Sequence, residues 1–408
     1  MAETGKLLLG LDIGTTKIAA VICEVTELGK VNIVGVGVHP ARGLKRGAVV
    51  NLEETVQSIT GAIKSAELMA GATVDEALVG IAGEHITSMD SKGVIGISTP
   101  TREITYEDVN RVIEAASAIA LPADRRIVDI IPQKFEIDDQ KGVDNPIGLT
   151  GTRLEATVHL VTCAESFAEN IIRSVEKTGY NVSRLILEPL ASSEAVLTKD
   201  EKELGVAVLD IGGGTADSVV FLDRCIVKTF VVPLGGNDLT RDLAIGLRTP
   251  MHNAEDLKVR FGSVWLPMVD EDESVEVPGV GGRAAKAVAQ TTLVEILGAR
   301  MEEIFLMAKQ EIHRLGIYDM LAAGVVLTGG SAKIPGTVEL AEEVFELPTR
   351  LGGPANIGGL GDVIGDPSFA TGVGLVLYDL MRERPKARRK YRARGIIRWF
   401  KELFRDFS

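Results

Sequence analysis

The sequence predicts an α/β protein of two similar domains with a cleft between them. Val206 to Phe221, VAVLDIGGGTADSVVF, reads as a short Val-rich buried strand, a glycine turn and a returning apolar strand. Leu7 to Ile22, LLLGLDIGTTKIAAVI, repeats that plan around the same Leu-Asp-Ile-Gly. The copies start about two hundred residues apart, the spacing of duplicated domains rather than of a short repeat. With 408 residues, 45% of them apolar, the chain can bury two substantial cores.

Each hairpin carries its own phosphate chemistry. Gly212, Gly213 and Gly214 are expected to let backbone N–H groups face the turn as a nest for phosphate oxygens, where an ordinary tight hairpin would need one or two glycines. Asp210 at the strand end would repel phosphate, so it is expected to face a Mg²⁺ that carries one. In the first copy Thr15, Thr16 and Lys17 supply hydroxyls and a cation instead of extra glycines. Two aspartates and two phosphate turns, one per half, imply a single shared nucleotide.

Composition excludes several classes. Cys23, Cys163 and Cys225 lie in apolar runs with no CxxC pair, which fits a reducing cytoplasm and argues against disulfides or zinc. The five histidines are scattered and read as structural. The start, MAETGK, lacks a signal-peptide pattern, and no apolar run reaches the length of a membrane span. From Arg382 onward 11 basic residues face 3 acidic ones, a net of +8; against the formal total of −13 this leaves −21 on residues 1–381. So acidic a body is not expected to bind nucleic acid.

In order, Val31 to His39 alternates as a third strand, and a turn at Arg42 to Gly47 leads to Ala48–Leu52. Glu53 to Ala70 has helical spacing with Val56, Ile59, Ile63 and Met69 on one side, and Leu78 to Ala82 is a strand. Residues 1–84 thus begin the first domain. Residues 85–160 change character: strands Gly93–Ser98 and Lys134–Asp138 flank a helix from Thr105 to Ile119, opened by Thr105-x-x-Asp108, as a small α+β insertion. Arg153 to Thr162 is expected to return the chain to the first domain, whose second part spans 161–204. There Ser166-x-x-Glu169 should cap a helix to Thr178, followed by the strand Ser183–Leu187. Leu190 to Leu197 is a helix of small residues suited to close packing between the halves. Glu188 at its start is the carboxylate placed to orient a water, or serves only the helix dipole.

Residues 205–380 form the second domain. Gly235 to Ile245 and Asn253 to Phe261 are helical, and Glu255 and Lys258 sit three apart on one helix face. They either meet one ribose or form a surface ion pair. Pro267 to Gly282 reads as an acidic, Gly-rich hairpin region, and Gln290 to Leu315 as one long amphipathic helix. Gly324 to Ser331 is a strand ending at Gly329, Gly330 and Ser331, a flat approach for a ring, with Lys333 close behind. Residues 367–380 form a second small-residue helix, closing back on the first domain.

This ordered set resembles the actin-like ATPase superfamily. The resemblance implies an actin-like ATPase fold in which Asp12 and Asp210 hold Mg²⁺ through water, Gly14 to Lys17 and Gly212 to Thr215 hold the phosphates of ATP, and Glu255 and Lys258 contact adenosine. It places Gly329, Gly330 and Ser331 beside the base. Val109 to Ala120, Pro132-Gln133, Asn145-Pro146-Ile147-Gly148, Arg153-Leu154-Glu155-Ala156 and His159 narrow the match. They are similar to the bacterial cell-division family FtsA. That resemblance implies a weak ATPase at most, self-polymerisation, and docking of the FtsZ C-terminal peptide on a subdomain of about residues 236–315, where Arg300 is the basic candidate. It also implies recruitment of other divisome proteins. A sugar-type kinase of the same superfamily is the alternative, and a chaperone would need a peptide-binding domain that the chain does not offer.

The end of the chain is legible without the family. Residues 381–394 are a basic linker, and at 100° per residue Ile396, Ile397, Trp399, Phe400, Leu403, Phe404 and Phe407 fall within an arc of about 160°. Arg398, Lys401, Glu402 and Arg405 fall opposite. Residues 395–408 are therefore expected to lie in the interface of an anionic membrane, on the cytoplasmic face, or to pack on protein instead.

Overall fold

The computed structural model describes residues 5–382 except 28, 99, 362 and 364, so the expected linker from 383 onward and the expected terminal helix lie outside the described residues, while 381 and 382 are helical. The chain opens with strands β1 (Lys6–Ile13), β2 (Lys17–Val25) and β3 (Val31–Pro40), a small hairpin of β4 (Leu44–Lys45) and β5 (Ala48–Val49), helix α1 (Leu52–Ala70) and strand β6 (Glu76–Ile81). The insertion comprises β7 (Thr87–Gly96), α2 (Tyr106–Ser117), β8 (Arg125–Ile137), β9 (Gln140–Val143) and β10 (Arg153–Ala164). Helix α3 (Glu165–Glu176) and β11 (Asn181–Leu187) complete the first half, and α4 (Glu188–Val196) and α5 (Lys199–Leu204) cross to the second. There β12 (Val206–Ile211), β13 (Ala216–Leu222) and β14 (Cys225–Val232) precede α6 (Gly236–Leu247) and α7 (Met251–Phe261). A hairpin of β15 (Ser274–Val277) and β16 (Lys286–Ala289) and the long α8 (Gln290–Arg314) come next. The chain continues through β17 (Val325–Thr328), α9 (Thr337–Phe345), β18 (Thr349–Leu351) and β19 (Gly358–Gly359) to α10 (370–382).

The duplication is one of topology. The first sheet runs β11-β6-β1-β2-β3-β19 and the second β14-β13-β12-β17-β18. In both, three consecutive antiparallel strands are extended on the side of the first by two parallel ones, β6 and β11 in one half, β17 and β18 in the other. Strands buried on both faces explain the unbroken apolar runs. Leu9, Leu11 and Ile13 face α1 and α3, while Val21 and Cys23 on the opposite face join a core shared with Val208, Val219 and Val326 of the second sheet. Helices α4 and α10 lie inside that shared core, contributing Leu190, Ala191, Val373 and Val376.

Helix α1 is capped at both ends. Asn51 accepts from the Glu53 and Glu54 N–H groups, and Gly71 turns left-handed, a start worth about 1 kcal/mol and a stop that costs glycine little. Its buried face is Thr55, Ser58, Ile59, Ala62, Ile63 and Ala66. Met69 is exposed, contrary to the sequence expectation, because the small residues of that face let the helix settle directly on β3.

Three further details differ from the sequence expectation. Strand β10 does not return to the first sheet: it is an inner strand of a separate sheet, β7-β10-β8-β9, with α2 against it. Thr105 and Asp108 form the expected reciprocal cap of α2. Ser166, however, caps nothing. Helix α3 begins one residue earlier, after Ala164, because the Asp124 carbonyl takes the Glu165 N–H and supplies from tertiary structure what a side chain would. The acidic hairpin likewise lies later than expected, with its second strand reaching Ala289.

Helices α4 and α10 cross at backbone distance. A Cβ on Gly374 would lie 1.9 Å from the Ala191 carbonyl, and one on Gly10 of β1 would lie 2.1 Å from the Gly372 carbonyl. Backbone atoms cannot give way as a side chain can. Gly374→Leu is therefore expected to destabilise by at least the roughly 1–3 kcal/mol typical of overpacking. A fall in the urea midpoint, with Gly96→Ala (where a Cβ meets nothing within 4 Å and φ is not positive) falling far less, checks it.

Candidate functional site

The two Asp-Ile-Gly hairpins face each other across a cavity of about 490 Å³. Asp12, Gly14, Thr15, Thr16 and Lys17 line it from the first half, with Glu188 at the start of α4. Asp210, Gly212, Gly213, Gly214, Thr215, Glu255, Lys258, Gly329, Gly330, Ser331 and Lys333 line it from the second. Every residue expected to meet nucleotide or metal is thus in one cavity, and Arg300 is not.

The glycines act through their missing side chains. None of Gly212, Gly213 and Gly214 is among the glycines with positive φ. A Cβ on Gly213 would lie 1.7 Å from Thr16 Oγ1, and one on Gly214 2.6 Å from Thr15 Oγ1, so the hairpins touch only because these positions are bare. The expected nest is also smaller: Gly212 N–H closes the turn on Thr215 O. The carbonyls of Gly212 and Gly213 accept from Gly236 and Asn237 at the start of α6, and Gly212 O also accepts from Ser331 Oγ at 3.0 Å.

The floor of the cavity is acidic. Burial pushes Asp12 up to about 7, with Lys17 opposing and Asp210 adding, and pushes Asp210 up as well against the Thr371 hydroxyl that donates to it at 3.1 Å. Glu188 is raised by burial and then by Asp12, Asp217 and Asp210; Gly80 leaves room for its carboxylate. Lys17 Nζ donates to Ser368 O at 2.6 Å at the entrance to α10, and burial pulls it down.

Asp217 is the member that sequence reasoning missed. The hairpin register sets it directly opposite Asp210, and burial raises it to about 7. Its Oδ2 accepts from Thr215 Oγ1 at 2.7 Å and the carboxylate from Gly83 N–H, yet buried Oδ1 has no partner. The signal was available: seven residues after Asp210, across a two-strand hairpin, a carboxylate must share its face.

On the opposite wall stand Glu255 and Lys258, already engaged with each other. They form an ion pair at 2.7 Å, and both line the cavity. Lys258 is buried and also donates to Thr240 Oγ1 at 2.9 Å and Gly236 O at 3.1 Å, so the pair fixes α7 on α6. Lys333 pairs with Asp366 at 2.8 Å. Arg300 binds Asp242 at 2.6 Å and also Glu303, joining α8 to α6 outside the cavity.

The donor set fits a nucleotide with its metal. The unpartnered Asp217 Oδ1 and the raised carboxylates mark a site built for compensating positive charge. Among the described residues no group of three or more His, Cys, Asp or Glu could hold a metal ion by itself. A Mg²⁺ would therefore arrive with phosphates and keep several waters.

Comparison with known proteins agrees on the fold. Residues 207–374 match the family model described as cell division protein FtsA, and residues 83–162 match the SHS2 domain inserted in FtsA. The cell division protein FtsA of Pseudomonas aeruginosa is 46% identical over 93% of this chain and 91% of its own length. Among solved structures, a chain of the PilM–PilN type IV pilus biogenesis complex superposes with a TM-score of 0.62 at 15% identity, over 91% of this chain and 98% of that one. MreB5 of Spiroplasma citri bound to ADP gives 0.56 at 13%, over 93% and 98%.

The acidic floor has a pH signature. In the nucleotide-free protein Asp12 and Asp217 hold their protons to about 7, against 3.8 in the unfolded chain. The folded state therefore binds more protons between those values, and this cluster's contribution to stability falls as pH rises through the window. Asp217→Asn should flatten the decline, read as the urea midpoint measured across that range.

Proposed function

This chain belongs to the FtsA family of cell-division proteins, and from that membership we propose that it binds ATP with Mg²⁺ in the cleft and polymerises on the cytoplasmic face of the cell membrane. There it would tether FtsZ filaments through residues 395–408 and recruit later division proteins. The observation that carries the nucleotide part is the convergence of both hairpins, Glu255, Lys258 and the Gly329–Ser331 turn on one cavity. Bound Mg²⁺ would neutralise phosphate charge there.

The chain's own groups then divide the work. Asp12 and Asp210, from opposite halves, would hold the metal through water; Thr15, Thr16, Lys17 and Thr215 would supply donors to phosphate oxygens, and Glu255 and Lys258 would meet the ribose. Glu188, held toward its protonated form by burial and by three neighbouring carboxylates, would take a proton from water once a cation in the cleft had restored its charge. Occupancy rather than turnover is proposed as the functional state. Because ligands from the two halves share one nucleotide, binding favours the closed arrangement of the halves.

The membrane reading is supported by the sequence of the end of the chain. The apolar arc supplies partial burial and the basic residues about 1 kcal/mol apiece near anionic lipid, a term that salt screens. Filament formation would raise apparent affinity by presenting many such helices to one surface. The FtsZ peptide is proposed to dock on the α6–α8 subdomain. Since Arg300 is already engaged by Asp242 and Glu303, an acidic peptide would have to compete with those carboxylates.

Asp210→Ala and Gly213→Val should each weaken Mg·ATP binding at least about tenfold, the first by removing a ligand and the second by driving the hairpins apart. Glu188→Ala should retain binding and slow hydrolysis. A fluorescent-nucleotide titration with phosphate-release assays reads all three, and unchanged affinity in both binding variants removes the site. Trp399→Glu should release the protein from anionic liposomes at any salt, whereas neutralising Arg388, Arg389 and Lys390 should matter mainly at low salt. If Arg300→Glu leaves FtsZ-peptide affinity unaltered in the same conditions, docking lies elsewhere.

A further inference from the structure

The inserted sheet meets the second half through β7 and β8, and β8 is irregular at two places. Lys134 lies opposite Thr157 and Pro132 opposite Val158, so the register passes over Gln133. Asp129 lies opposite Val161 and Ile127 opposite Thr162, so it passes over Val128. Extra residues of this kind re-aim nearby side chains. Pro132, with no N–H to give a ladder, is tolerated beside one of them.

Next to each irregularity a side chain reaches the second half. The Gln133 amide donates to Ile226 O at 2.8 Å and accepts from Ile226 N–H at 3.0 Å, standing in for a neighbouring strand at the edge of β14. Beside it the Ser88 and Thr229 hydroxyls bond at 2.9 Å. Asp129 accepts from Tyr378 OH at 2.7 Å and pairs with Arg382 at 2.7 Å, while Arg382 also donates to Ile130 O at 2.7 Å. Asp129 is only 10% exposed, so losing either donor leaves a carboxylate poorly solvated.

Each contact is one element away from the cleft. Strand β14 pairs with β13, which carries Asp217; helix α10 carries Thr371, which bonds Asp210, and follows Ser368, which takes Lys17. Thr371 to Arg382 spans roughly 16 Å at the rise of an α-helix. We infer that Asp129 and Gln133 are positioning residues that clasp the inserted sheet onto α10 and β14, tying the placement of the insertion to the Asp210–Asp217 hairpin. By linkage, whatever factor nucleotide adds to the clasp, the clasp adds to nucleotide affinity.

The test uses the full-length protein with Asp129→Asn, Gln133→Ala and Tyr378→Phe, the last leaving the insertion's own residues intact should the others unfold it. Each variant is expected to weaken Mg·ATP binding about fivefold, within the usual range of intramolecular coupling. Amide exchange at 127–133 should slow on adding ATP to the unaltered protein and respond less in the variants. Without nucleotide, exchange at 368–372 should speed up in Asp129→Asn and Tyr378→Phe. This inference rests on the nucleotide reading only for its affinity readout. Absence of ATP binding by the unaltered protein would sink that reading and leave the nucleotide-free exchange to decide the clasp. Normal exchange at 368–372 in both Asp129→Asn and Tyr378→Phe overturns it, as does unchanged affinity in all three variants of an ATP-binding protein.

Discussion

Two hairpins in contact, threonine side chains of one against bare glycines of the other, is the constraint on which the rest depends. Thr15 and Thr16 of one half lie where any Cβ on Gly214 and Gly213 of the other would be. With the turns held that close, aspartates from both halves reach the same cavity. The same economy recurs beneath the cleft, where Gly10, Gly372, Gly374 and Ala191 let a strand and two helices meet at backbone distance. Small residues at these crossings leave little slack between the halves.

Against that close packing stands an electrostatic cost. Four carboxylates, Asp12, Glu188, Asp210 and Asp217, share a cavity with Lys17, and burial raises all four. Groups that resist ionisation when the cavity holds only protein ionise readily beside a divalent cation. That electrostatic cost would favour a ligand that carries positive charge along with phosphate.

Much of this was legible in the residues. The repeated Leu-Asp-Ile-Gly marked both hairpins, and the order of small-residue helices and glycine turns marked the halves, because apolar periodicity and glycine placement are local properties. Less legible was anything whose partner is distant in sequence. Ser166 looked like a cap, but the Asp124 carbonyl took that role. Arg153 to Thr162 was expected to lead the chain back to the first domain, and its pairing with β7 and β8 keeps the whole run within the insertion's sheet. Met69 fitted the helical stripe of α1, yet it is the alanines that lie against β3.

By itself, the sequence determined the two hairpins, most of the residues that face the cleft and the approximate extent of the insertion's helix, since each follows from spacing along a few turns or strands. Only the tertiary structure decided what those residues do to one another. It put Asp217 opposite Asp210 and left one oxygen without a partner. It bound Arg300 to Asp242 across two helices. It turned Gln133 and Asp129 outward from β8 onto Ile226 and Tyr378, 93 and 249 residues away. Such pairings depend on register and on the approach of separate elements, and a one-residue change in register alters them all without altering the local pattern that the sequence displays.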